Sequence, residues 1–160
     1  SMLCQNPLDL FTKDRCRDEV RFGELTDFLE ISDIADSHPY DISGGQAQRL
    51  ALAKVLETGA DVILLDEPTK ALDSAFKQKL AQKLFELCKI GKTVVITTHD
   101  IDFAAEYGEY ISFLSNGRII TTQPKRAFFS SLDFFTSSTS KITNGICDGY
   151  VCQKDLEGVE

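Results

Sequence analysis

VILLDEPTKALD, residues 62–73, decides the architecture. Four consecutive aliphatic residues at 62–65 predict a short strand covered on both faces. Asp66 and Glu67 end it, and Pro68 stops the chain from continuing as a ladder strand. Upstream, residues 43–58 predict a helix with Ala47, Leu50, Ala51 and Val55 on one stripe, stopped by Gly59. Downstream, residues 74–90 predict a second helix with Phe76, Leu80, Leu84 and Leu87 inward and Lys77, Lys79 and Lys83 outward. Gly91 ends that helix, and residues 93–97 predict the next buried strand. This order implies an α/β class with a mostly parallel sheet and right-handed crossovers.

Outside this stretch the pattern weakens. Residues 13–22 and 24–31 read as short helices, and residues 110–114 and 118–121 as strands joined by a Ser115-Asn116-Gly117 turn. Beyond Pro124, Phe128, Phe129, Phe134 and Phe135 precede a Ser/Thr-rich run, and such aromatics form either a small local core or a subunit interface. Three regions follow, 1–58, 59–122 and 123–160. With 160 residues, 42% of them hydrophobic, the chain is long enough to bury a core. A net charge of −8 with no polybasic run argues against a nucleic-acid partner. Five cysteines without a CxxC pair predict reduced thiols, a cytosolic setting and no metal site among them.

Two features carry chemistry. Asp66 and Glu67 stand at the carboxyl end of a strand, where open α/β sheets bind their ligands. Adjacent carboxylates there can divide the work, one holding Mg²⁺ and the other orienting a water. His99 follows the next strand in the same way, placed to contact a γ-phosphate or the Glu67 carboxylate. The second feature is Ile42-Ser43-Gly44-Gly45-Gln46, which runs into a helix and so presents backbone N–H groups to a phosphate. Ser43 also suits a plain helix cap.

In chain order these pieces are Gln5 in CQNP, ISGGQ at 42–46, VILLDEP at 62–68, ALD at 71–73 and THD at 98–100. The series resembles the ATPase subunits of ABC transporters from the Q-loop onward. QNPLDLF, DEPTKALD and FFTSSTSKI look like the energy-coupling factor transporters, which drive vitamin and metal-ion uptake. The resemblance implies a P-loop NTPase-like sheet with helices on both faces and a helical signature subdomain at the N-terminal end. It implies ATP and Mg²⁺ as ligands, with Asp66 and Gln5 toward the metal and Glu67 and His99 catalytic. Ser43, Gly44, Gly45 and Gln46, with Gln5 and Asp73, would bind nucleotide. The implied partners are a second ATPase subunit packed head to tail and an integral membrane subunit, at the inner face of the cell membrane. Ile42 and Ala71 depart from the leucine and glycine common in these proteins, and neither removes a functional side chain. A soluble ABC ATPase and a non-catalytic module supplying only its signature are the competing readings.

No GxxxxGK[ST] stretch occurs. Gly91-Lys92-Thr93 lies between a helix and a strand, the reverse of a P-loop. The expectation is therefore a chain that hydrolyses ATP negligibly alone. A strand is also expected to be missing beside residues 62–65, leaving an open edge and self-association.

Overall fold

The computed structural model describes residues 1–131, which fall into two compact units, one of Ser1–Thr98 and one that begins at His99. The first unit holds β1 (Met2–Leu3), a 3-10 turn at Pro7–Leu10, α1 (Cys16–Glu19), α2 (Glu24–Phe28), a second 3-10 turn at Ser32–Ile34, α3 (Gly44–Glu57), β2 (Val62–Asp66), α4 (Ser74–Lys89) and β3 (Thr93–Thr97). The three strands run parallel in the order β1-β2-β3, with Leu65 beside both Leu3 and Ile96. Their carboxyl ends therefore share one edge of the sheet.

Element ends follow from local chemistry. Ser43 and Gln46 form a reciprocal capping box at the start of α3: Ser43 Oγ accepts from Gln46 N at 3.2 Å and Gln46 Oε1 from Ser43 N at 3.0 Å. Asp73 caps α4 by accepting from Phe76 N at 2.9 Å. Gly59 and Gly91, at φ +66° and +90°, reverse the chain after α3 and α4, a conformation that costs a glycine little.

The core gathers Leu3, Ile63 and Leu65 of the sheet with Ala47, Leu50, Ala51 and Val55 of α3 and Phe76, Leu80 and Leu84 of α4. Three expectations need correction. Strand β2 has no open edge, because Met2 and Leu3 pair with Leu64 and Leu65 on the side opposite β3. Nor is β2 covered on both faces: Val62 and Leu64 are 50% and 40% exposed, and Val95 of β3 is 48% exposed. Both long helices of the unit send their apolar residues to the Ile63 and Leu65 face, so only alternate strand residues are buried. The expected helix at 13–22 is the single turn of α1, followed by extended backbone at Val20.

The second unit holds α5 (Ile101–Tyr107), an antiparallel hairpin of β4 (Tyr110–Ser115) and β5 (Arg118–Pro124), and α6 (Lys125–Ser131). Asn116 and Gly117, both at positive φ, make the hairpin turn. Phe128 and Phe129 are buried with Ala105, so these two aromatics form a local core. Phe134, Phe135, Cys147, Cys152 and the FFTSSTSKI run lie outside the described residues. No helix among the described residues is long and apolar enough to cross a membrane.

Candidate functional site

The carboxyl edge of the sheet is built by two strand ends that hold one another. Asp66 and Thr97 are register partners, and Thr97 Oγ1 donates to Asp66 Oδ1. One residue on, Glu67 N donates to Thr97 O at 2.9 Å and Thr98 Oγ1 donates to Glu67 Oε2 at 3.3 Å. Glu67 has φ +49°, the left-handed region that a side chain makes unfavourable by about 1–2 kcal/mol. Such a conformation persists where surrounding bonds over-determine it. Pro68 and Thr69 are buried behind it, and Lys70 N closes a turn onto Glu67 O at 3.2 Å. Gln5, exposed, lies two residues past the carboxyl end of β1 and so on the same edge.

The start of α3 stands against the loop that leaves this edge. A Cβ on Gly45 would come 3.2 Å from Ala71 O, so a larger residue there has to displace backbone. Gly44 opens to free space. Ser43 and Gln46 bond one another, and Gln46 Nε2 lies 3.5 Å from Asp33 Oδ2. The first turn of α3 carries no acidic residue, and its leading N–H groups have no preceding turn to receive them. That combination suits an anion at the Gly44-Gly45 end.

Two residues tie the pieces together that sequence reasoning passed over. Gln48 is 3% exposed and donates to the carbonyls of Glu67 and Pro68, each at 3.3 Å. Arg49 lies with Cζ 3.9 Å above the Phe76 ring, pairs with Glu30 at 2.9 Å and approaches Asp73 at 3.6 Å. The Phe76 N–H bond, with Arg49 beside it, holds the Asp73 carboxyl below its ordinary pKa. The hydrogen bond from Lys79, then the charges of Lys79 and Arg49, outweigh burial and do the same for Glu30. A Gln-Arg pair inside the otherwise apolar stretch 47–53 was the available signal.

His99 is exposed and is the first residue of the second unit. Lys92 of the Gly-Lys-Thr sequence donates to Gly59 O and to Ala60 O at 3.1 Å, so it pins the α3–β2 connection. Among the described residues no three His, Cys, Asp or Glu groups could hold a metal alone. Mg²⁺ takes one or two carboxylates and completes its shell with water and substrate phosphate. Asp66, the Thr97 hydroxyl and the Gln5 amide are hard oxygen donors of that kind.

Residues 2–70 match the sequence model of the ABC transporter family. An ABC transporter ATP-binding protein of Clostridium tetani is 32% identical over 168 residues, covering 97% of this chain. The chain belongs to the ABC transporter ATP-binding family. Another ABC relative, the petrobactin import ATP-binding protein of Bacillus subtilis, is 41% identical over 110 residues, 67% of this chain and 43% of its own length. Among solved structures, a dimeric ATP-binding cassette in a post-hydrolysis state with ADP and Pi superposes with TM-score 0.68 at 30% identity. The match covers 78% of the ABC chain and 62% of that cassette. The chain spans 38% of the length of the Clostridium relative.

Proposed function

We propose that this chain forms the signature-bearing part of an ATP-hydrolysing subunit that powers membrane uptake, of the energy-coupling factor type. One observation carries the reading: Thr97 and Thr98 hold Asp66 and Glu67 at the shared carboxyl edge of parallel strands, with Glu67 in a left-handed conformation.

In this reading Asp66 and Gln5 hold Mg²⁺, which when bound neutralises charge on the transferred phosphoryl group. Glu67 accepts a hydrogen bond from the attacking water and takes up its proton as the water adds to the γ-phosphorus and the bond from that phosphorus to the β–γ bridging oxygen breaks, so that ADP leaves with the bonding electron pair. His99 steadies the γ-phosphate. Ser43, Gly44, Gly45 and Gln46, with Asp73, close over the nucleotide held by a second subunit packed head to tail. The dimeric state of the superposed cassette supports that arrangement. The region from Gln5 to Tyr40 meets an integral membrane subunit at the inner face of the membrane. Uptake is supported by the petrobactin import relative, and the energy-coupling factor subtype by QNPLDLF and DEPTKALD.

Replacing Glu67 with Gln in the complete subunit tests the reading. ATP turnover is expected to fall by about a hundredfold or more while ATP binding persists. Turnover at the native rate would overturn the assignment.

A further inference from the structure

We propose that Gln48 is a positioning residue for Glu67, through which the signature helix sets the geometry of the water-activating carboxylate. The proposal rests on the assignment of Glu67 above.

Apart from Arg49, the residues flanking Gln48 along α3 are Ala47, Leu50, Ala51, Leu52 and Ala53, all buried and apolar. A buried amide without partners costs about 1–3 kcal/mol, so an apolar side chain of the same size would suit this core better. What Gln48 gains there is specific: its Nε2 spans two successive carbonyls, those of Glu67 and Pro68. These are the carbonyls at and just after the left-handed residue, where the chain turns away from β2. The Glu67 carbonyl thus accepts from Lys70 N on its own loop and from Gln48 on α3.

The helix touches the same loop at two further points, Gly45 against Ala71 O and Arg49 near Asp73. Residues 45, 48 and 49 therefore hold loop 67–73 at its end, its beginning and its exit into α4. Of these three contacts, the one from Gln48 reaches the backbone of Glu67 itself. Side-chain direction at that residue depends on φ and ψ, so movement of α3 along its axis re-aims the carboxylate. The amides of Gly44 and Gly45 sit on the same rigid helix. A phosphate captured there is mechanically joined, through Gln48, to the acidic residue of this chain's own edge.

The test uses the complete subunit with MgATP and three variants. Gln48→Met keeps size and removes both donated bonds, whereas Gln48→His keeps an N–H donor at similar reach. Gln48→Met is expected to lower kcat tenfold or more with KM within twofold, since small misplacements of a catalytic group are costly. Gln48→His is expected to keep kcat within threefold. Native kcat in Gln48→Met, or equal losses in both variants, overturns the proposal. Should Gln48→Met fail to fold, Gln48→His decides alone: a folded protein with a tenfold lower kcat overturns it, and near-native kcat supports it. Glu67→Gln separates the two levels. If that variant turns over ATP normally, the Glu67 assignment falls; if it is inactive while Gln48→Met is fully active, only the positioning role falls.

Discussion

Lys54 Nζ bonds the carboxylate of Glu19, whose side chain is fully buried, and donates to Leu10 O at 2.7 Å. The same carboxylate accepts from the backbone N–H groups of Thr12 and, at 2.5 Å, Lys13. One ion pair therefore ties α3 to the segment that follows Gln5. Removing one partner of such a pair leaves a buried charge uncompensated, at a cost of about 3–5 kcal/mol when burial is complete. Lys54 is 30% exposed, and the backbone donors remain, so Lys54→Met is expected to destabilise by about 2–3 kcal/mol. Urea unfolding of the chain and of the variant measures this. A change below about 0.5 kcal/mol, the level of an exposed pair, would show that the pair is solvated.

The same group sets an acid limit. Burial raises the Glu19 pKa, but the Lys54 bond and the two backbone N–H bonds outweigh it and hold the carboxyl below its ordinary value. A depressed folded pKa contributes stability that is complete above the unfolded value, about 4.3, and disappears as pH falls through the folded value. Stability is therefore expected to be level above about pH 5 and to decline below about pH 4. Glu19→Gln should flatten that decline, as followed by melting temperature against pH. An equal acid slope in the variant would place the lost stability on other carboxylates, such as Glu30 and Asp73, which are also held low.

The boundaries of α3, α4 and β3 were readable because Ser43, Asp73, Gly59 and Gly91 mark them by local chemistry. The carboxylates at 66 and 67 were readable for the same reason, since strand end and Pro68 adjoin in sequence. What stayed hidden depends on distant partners. Two residues cannot announce a strand, and β1 exists through Leu64 and Leu65, some sixty positions on. Gln48 looks like a surface residue until the carbonyls of Glu67 and Pro68 fold over it. Periodicity also gave the wrong coverage for β2, because a run of aliphatic residues does not say which faces the helices will take.

Ala71 offers a stabilising substitution. Its φ of +61° is a left-handed conformation in which Cβ crowds the following carbonyl, costing about 1–2 kcal/mol. Glycine removes that strain but adds freedom to the unfolded chain, worth about 0.4–1 kcal/mol. Ala71→Gly is therefore expected to gain roughly 0.5–1 kcal/mol, visible as a rise of about 2–4 °C in melting temperature. An unchanged or lower Tm would indicate that the methyl group contributes packing that offsets the strain.

Gly45 tests whether the approach of α3 to this loop matters for turnover rather than for folding. Alanine favours a helix over glycine by about 0.5–1 kcal/mol, and this offsets the crowding of its Cβ at 3.2 Å from Ala71 O. Gly45→Ala should thus melt within a few degrees of the parent while pushing loop 67–73 by a few tenths of an ångström. Turnover of MgATP by the complete subunit is expected to fall about tenfold, as displaced catalytic groups do. A methyl group at Gly45 could instead act by obstructing a nucleotide on a partner subunit, and a second substitution distinguishes the two. In the Ala71→Gly background the loop backbone yields more easily, so crowding within the chain predicts partial recovery of kcat. Obstruction of the partner's nucleotide predicts none, because that contact does not involve residue 71.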